Sequence, residues 1–257
     1  MPFTKDLMAV SDSHYIYDGS LQGLYCCVYE SVYSREIPSI IDSEEDSLPS
    51  LLHKCFIVTD LEKAGRVRAS VVSKISARSL ELVETVFLSC LEGKELKILR
   101  YLLHGYSEGA KIDNMLGHAD VSPLLAAERH LLGESHLLTG FIRFSDYDGV
   151  LAAAISPKNY VLPSLTKHFV ERFNTESFMI YDKTHKCALF YEQGKAEILP
   201  VEHINFPAPS EREQGYRELW KRFYKTIAIE ARENPRCRRT HLPKRYWSNM
   251  TEMAELL

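Results

Sequence analysis

The fold class turns on Phe141-Ile142-Arg143-Phe144-Ser145-Asp146-Tyr147-Asp148-Gly149-Val150-Leu151-Ala152-Ala153-Ala154-Ile155. Asp148-Gly149 between two apolar runs is a hairpin signal, because both residues tolerate the positive φ that a tight two-residue turn requires. The reading is therefore a β-hairpin, with Phe141 to Phe144 and Val150 to Ile155 flanking the turn. Downstream, Pro163 opens a helix carrying Leu165, Phe169 and Phe173 at helical spacing. Phe178 to Tyr181 and Cys187 to Tyr191 then form a second hairpin around Asp182 to Lys186. The segment from Ile198 to Ile204 adds an edge strand, where Pro200 is tolerated.

Upstream of Gly140 the texture is helical. Tyr15 to Gly19 reads as a short extended lead-in, after which Ser20 caps a helix with Leu21, Leu24, Val28 and Val32 on one face. Ile37 to Ser50 is rich in Ser, Pro and acids and reads as a solvated loop. Thr59-Asp60-Leu61-Glu62 fits a capping box for a helix through Ser76. Apolar periodicity continues through Leu82 to Leu103, with Gly105 and Gly109 at its exit, and Ser122-Pro123 opens a further helix that Gly133 ends. The reading is a single α+β domain over 1–257, with a helical part at 1–139, a β-α-β part at 140–206 and a basic helical arm at 207–257.

The chain has 257 residues, 45% hydrophobic and 26% charged, an ordinary globular composition, and a formal net charge of -4. Any contact with nucleic acid must then be local, since phosphate attraction needs clustered positive charge. The first seventeen residues lack the apolar core of a signal peptide, and Glu81, Glu84 and Glu92 interrupt the longest apolar stretch, so a cytoplasmic protein without a membrane partner is expected. Six cysteines are scattered without C-x-x-C spacing and read as free, mostly buried thiols.

Local enzyme motifs are missing. Gly105 to Lys111 lacks P-loop spacing, and there is no G-x-G-x-x-G, G-x-S-x-G or H-E-x-x-H. The histidines are dispersed: His130 and His136 bracket a helix end, and His185 precedes Cys187 by two. No metal site and no cofactor are expected from this spacing. A site assembled from distant residues would leave no local motif.

The positive charge concentrates at the C-terminus. Between Arg217 and Arg245 ten basic residues face three acidic ones, which leaves +7 in a net-negative chain. Leu219, Phe223, Ile227 and Ala231 lie at i, i+4, i+8 and i+12, so the apolar stripe is expected to pack, with Arg217, Lys221, Lys225 and Arg232 on the neighbouring face. Beyond Pro235, the candidates for nucleic-acid contact are Arg236, Arg238, Arg239, Lys244, Arg245, Tyr246 and Trp247. They combine guanidinium forks that suit phosphate with rings that can stack on bases or dock the tail on the core. His168 and Arg172 lie one turn apart on the middle helix, and Asp182 in the adjacent turn could bring a carboxylate to them, which makes these three the candidate catalytic group. Asp18, Ser20, Arg143 and Lys183 complete the candidates; turn and cap chemistry also accounts for Asp18 and Ser20.

The strings Tyr17-Asp18-Gly19-Ser20 with Gly23-Leu24, Arg143-Phe144, His168-Phe169, Arg172-Phe173, Tyr181-Asp182-Lys183, Ile227-Ala228-Ile229-Glu230, Asn234-Pro235 and Pro243-Lys244-Arg245-Tyr246-Trp247 together resemble the bacterial "probable DNA metabolism proteins". This is a domain of unknown function found beside uracil-DNA-glycosylase-like domains and paired with a radical-SAM DNA repair-type protein. Thr184 after Lys183 departs from the pattern, where a second basic residue is expected. The resemblance implies DNA repair or base processing, with DNA, a radical-SAM protein and a uracil-DNA-glycosylase-like protein as partners; it transfers no catalytic residues.

Three functions remain open on this reading: a DNA-associated repair accessory working through the basic arm, a nucleic-acid-processing enzyme using His168, Arg172 and Asp182, and a protein-interaction module.

Overall fold

The computed structural model describes residues 8–253, so the first seven residues of the N-terminal segment read above lie outside it. The fold is α+β. Its contacts divide at Leu131/Leu132 into two compact units, each with its own sheet and core, rather than one continuous core. Among the described residues no helix is long and apolar enough to cross a membrane.

The N-terminal unit is not purely helical. A three-stranded parallel sheet, in the order β2-β1-β3, is formed by β1 (Ala9–Tyr17), β2 (Glu36–Ser43) and β3 (His53–Phe56). β1 is central and its residues Ser13 to Tyr17 are all buried, the continuous run expected of a strand covered on both faces. The segment read as a solvated loop contains β2. Its polar composition hides Ile37 and Ile41, which are buried, while Pro38 is tolerated because β2 is an edge strand.

Helix α1 (Leu21–Ser34) begins at Ser20, whose hydroxyl accepts from the Gly23 N–H. α2 (Leu61–Lys74) is capped by Asp60, which accepts from Glu62 N and Lys63 N, and not by Thr59. Thr59 instead donates its hydroxyl to Asp18 at 2.8 Å. α3 (Ala77–Phe87) and α4 (Lys94–Glu108) follow, with Gly109 at the end of α4. Gly105 lies inside α4, where a Cβ would meet Ile75 at 2.7 Å, so the glycine permits close packing there. α5 (Ser122–Phe141) runs through Gly133 without a break.

The C-terminal unit is built on a five-stranded sheet in the order β4-β5-β6-β7-β8. The first hairpin joins β4 (Ser145–Tyr147) to β5 (Val150–Ile155) through Asp148 and Gly149, at φ 53° and 90°. Phe141 ends α5 and residues 142–144 form no strand, so the strand before the turn is Ser145–Tyr147 and not the Phe141–Phe144 read from the sequence. α6 (Leu162–Arg172) crosses over to β6 (Ser177–Asp182), parallel to β5, and buries Leu162, Leu165 and Phe169. β7 (Cys187–Glu192) and β8 (Lys195–Pro200) complete the sheet as two further hairpins. The last turns at Gln193 and Gly194, both at positive φ.

α7 (Glu211–Ile227) ends well short of Pro235, and the seven-residue α8 (Pro235–His241) precedes a 3-10 turn at Lys244–Asn249. That turn docks into the core of the unit through Tyr246 and Trp247.

Candidate functional site

Two Asp-centred turns account for several candidate residues structurally. Asp18 accepts from the Ser20 N–H at 3.0 Å and the Ser20 hydroxyl at 2.6 Å, as well as from Thr59. A Cβ on Gly23 would lie 2.3 Å from Asp18 Oδ1, so only glycine lets the helix approach this turn. An anion there would face the Asp18 carboxylate, which its hydrogen bonds hold below the usual range although burial acts the other way. In the second turn Asp182, fully buried, accepts from Thr184 N, from His185 N and from His185 Nδ1, the last at 2.7 Å.

The proposed catalytic trio does not assemble. β5 and β6 run parallel with Ile155 opposite Asp182 and Val150 opposite Ser177, so α6 starts at the Asp182 end and finishes at the Ser177 end. Arg172, the last residue of α6, is therefore separated from Asp182 by the length of β6, five steps or roughly 17 Å. His168 is exposed, edge-on to Phe169 at 4.9 Å, and the partner of Asp182 is His185.

The C-terminal candidates split into two groups. Tyr246 and Trp247 are 2% and 5% exposed, which removes both rings from any base-stacking surface. Arg245 is held by Glu134 at 2.8 Å and by the Tyr246 hydroxyl at 2.7 Å. Glu134 itself is 3% exposed and also accepts from Tyr246 OH, Lys158 N, Asn159 N and Asn159 Nδ2. Burial alone would raise its pKa, but the hydrogen bonds from Tyr246 and from the Asn159 and Lys158 amides hold it below the ordinary glutamate value. This Arg-Tyr-Glu arrangement is a tether for the tail, so Arg245 joins the aromatics as structural. Lys244 is exposed, with its ammonium over the Trp247 ring. Arg236 and Arg239 are exposed and Arg238 is half-buried, all on α8.

α7 is turned the opposite way from the sequence reading. Leu219, Phe223 and Ile227 are 60%, 52% and 58% exposed. The inward residues are Glu213, Arg217, Trp220 and Tyr224, spaced i, i+4, i+7 and i+11. Arg217 donates to Glu213 at 2.9 Å and to Ser145 at 2.6 Å, and Glu213 accepts the Asp146 N–H at 3.1 Å. The Trp220 indole N–H donates to Glu252 at 2.9 Å, and Glu252 also accepts from Arg143 Nη2 at 2.7 Å. The Arg143 guanidinium lies 5.1 Å from the Trp220 ring centre. Glu213 and Glu252 are each pushed up by burial and brought below the usual carboxylate range by these donors.

Between α6, α7 and the end of α5 lies a cleft of about 530 Å³. Its lining brings together Arg143, Arg172 and Arg217 with Phe144, Phe169, Phe173, Tyr216 and Trp220. Phe144 packs edge-on against Phe169 and Phe173, with centroids at 5.5 and 5.1 Å. Arg143 and Arg217 are each paired with a buried glutamate, whereas Arg172 rests over Phe173 with no carboxylate partner among the described residues. A second cavity of about 240 Å³ shares Arg143, Arg217 and Thr251 with the first and adds Lys183, Tyr147 and Phe206. Lys183 donates to Asn249 at 2.8 Å. Of the residues scattered in sequence, Arg172 thus borders the first cavity, Lys183 the second and Arg143 both. Arg217, Tyr216 and Trp220 are the members that sequence reasoning missed as site residues, because α7 was expected to face inward through its apolar stripe.

The fold and site define an α+β protein whose C-terminal unit carries an arginine- and aromatic-lined cleft. The family model of DUF4130, a domain of unknown function, matches residues 92–252, well over half of the chain, and the protein belongs to that family. No curated protein matches the chain. Among solved structures, a pGpG-specific phosphodiesterase, PggH from Vibrio cholerae, is similar at 10% identity, covering 69% of this chain and 81% of its own with a TM-score of 0.32. A likeness of that size carries no argument about activity.

Proposed function

We propose that this protein is a nucleic-acid-binding accessory of a DNA repair or base-processing system, and that its C-terminal unit receives a single-stranded segment in the arginine- and aromatic-lined cleft. The observation that carries the reading is the meeting on one cavity of Arg172, which has no carboxylate partner among the described residues, with the half-exposed faces of Tyr216 and Trp220, beside the glutamate-paired Arg143 and Arg217. Planar guanidinium groups suit phosphate oxygens, and a ring platform adds about 1–3 kcal/mol per stacked base without demanding sequence. Arg236, Arg238 and Arg239 on α8 supply further positive charge in the same unit. The repair context rests on the family resemblance.

The chain has two tryptophans, and Trp247 is buried, so quenching of intrinsic fluorescence by an oligothymidine reports on Trp220. Binding is expected to weaken steeply with salt. Arg172→Ala should lower the slope of log affinity against log salt by about 0.7, and the Arg238→Ala/Arg239→Ala double variant by about 1.4, the value for one and two single-strand phosphates. Wild-type affinity and slope in both variants would sink the proposal.

One observation favours a second reading. The exposed Leu219, Phe223 and Ile227 stripe, beside Arg222 and Lys225, suits an acidic amphipathic surface of a protein partner. On this reading the radical-SAM or glycosylase-like partner docks on α7, and its co-purification should survive nuclease treatment and be lost with Phe223→Asp.

A further inference from the structure

His104, His118 and Asp120 lie far from the cleft residues in sequence and within the N-terminal unit alone. His104 sits in the last turns of α4, and His118 and Asp120 in the short connection between the 3-10 helix Gly109–Asn114 and α5. Backbone hydrogen bonds fix that connection: His118 N donates to Met115 O, while Val121 N and Ser122 N both donate to His118 O. Val121 and Leu124, which follow Asp120, are buried in the core and anchor the loop on its C-terminal side.

One ligand atom from each of the three side chains falls within 4.8 Å of the other two. His104 Nδ1 is 3.4 Å, and His118 Nδ1 3.9 Å, from Asp120 Oδ2. Ligands about 2.0–2.1 Å from a tetrahedral zinc ion stand about 3.4 Å apart, the separation that His104 Nδ1 and Asp120 Oδ2 already have at 3.4 Å, and the set as a whole lies within 4.8 Å. His118 Nδ1 accepts the Asp120 N–H at 3.1 Å, so this nitrogen carries no proton, and an ion taking its lone pair displaces that hydrogen bond. The side chains are 14%, 35% and 16% exposed for His104, His118 and Asp120, so His118 forms an accessible rim above two largely covered ligands. The imidazole ring centroids are 4.2 Å apart and the planes are tilted by 57°, so the faces are not stacked.

We propose that His104, His118 and Asp120 bind one divalent ion of the zinc class, with a fourth position open to water or an exogenous ligand. Two nitrogen donors and one carboxylate match borderline ions and not magnesium, which prefers an all-oxygen, octahedral shell. Three protein ligands with one open position is the pattern of reactive zinc centres, whereas structural zinc is closed by four. Sequence spacing conceals the set. His118 and Asp120 are two apart, but the third ligand comes from a helix fourteen residues upstream.

The test uses the full chain, stripped with a chelator and titrated with Co²⁺, Zn²⁺ or Mg²⁺ alone. One equivalent of Co²⁺ should produce visible ligand-field bands, Zn²⁺ should displace it, and Mg²⁺ should do neither. Zn²⁺ should also raise the thermal midpoint as its concentration exceeds Kd. Asp120→Asn and the rim variant His118→Gln should each weaken Co²⁺ binding by at least about 10-fold, the lower end of what losing even an outer-shell partner costs. A folded wild-type protein with no Co²⁺ bands overturns the proposal. So does unchanged affinity in His118→Gln, or full retention of binding in His104→Ala/His118→Ala. If that double variant is unfolded, the rim variant and the wild-type titration decide the matter.

Discussion

Arg236, Arg238 and Arg239 on α8 and the Arg245-Tyr246-Trp247 string a few residues later have similar chemistry and opposite fates. The first group projects from a seven-residue helix that buries nothing. The second closes over a core, because Glu134 waits there as a buried carboxylate whose oxygens need donors, and Tyr246 and Arg245 supply two of them. What separates an arginine available for a ligand from one committed to the fold is therefore the location of its carboxylate. α7 makes the same point with reversed chemistry. Its polar residues face inward onto Asp146, Ser145 and Glu252, and its apolar stripe faces out.

The largest effect expected is at Glu134. Glu134→Ala leaves the Arg245 guanidinium, the Tyr246 hydroxyl and the Asn159 amides without their acceptor, and breaking such a buried charged pair costs about 3–5 kcal/mol. Urea unfolding followed by far-UV circular dichroism should show it, beside an Arg239→Ala control within about 0.5 kcal/mol of wild type. Equal midpoints for the two variants would erase the contrast between the tethered and the free arginines.

An intermediate effect should appear with pH. Glu134, Glu213 and Glu252 have pKa values below the usual range in the folded protein, so each contributes stability that is fully present above the unfolded value of about 4.3 and is lost as pH falls through the folded values. Tyr246→Phe removes one donor to Glu134 and should cost about 1–3 kcal/mol at neutral pH. It should also move the onset of acid unfolding to higher pH, because the carboxylate then protonates more readily. An acid limb that Tyr246→Phe leaves in place would show that Glu134 does not govern it.

The smallest effect is expected on α7. Leu219→Ser and Phe223→Ser should each change stability by less than about 0.5 kcal/mol, since both side chains are more than half exposed. A loss well beyond about 1 kcal/mol in chemical denaturation would mean that the stripe is covered by protein in solution, and would shift the weight from nucleic acid to a partner or a second copy.

Much of the C-terminal unit was legible from its residues. Asp148-Gly149 forces its turn, Pro163 sits at a helix start, and the alternation around Asp182 to Lys186 fixes a hairpin, because each signal is set by local φ and hydrogen-bonding constraints. The parallel sheet of the N-terminal unit was not. Its strands pair across a helix and a loop, and β2 carries only two buried aliphatic residues among Ser, Pro and Asp. Gly133 suggested a helix end that α5 does not have, which concealed Glu134 as an inward-facing carboxylate.

Neighbouring residues alone fix the α+β class, the turns, most helix starts and the concentration of positive charge toward the C-terminus. Packing across the fold sets which face of α7 points inward, which arginines are neutralised and that Arg143, Arg172 and Arg217 share a cleft. It also decided that His104 meets His118 and Asp120. Such assignments depend on what lies opposite each side chain, and periodicity along one strand or helix cannot specify the chemistry of the surface it will meet.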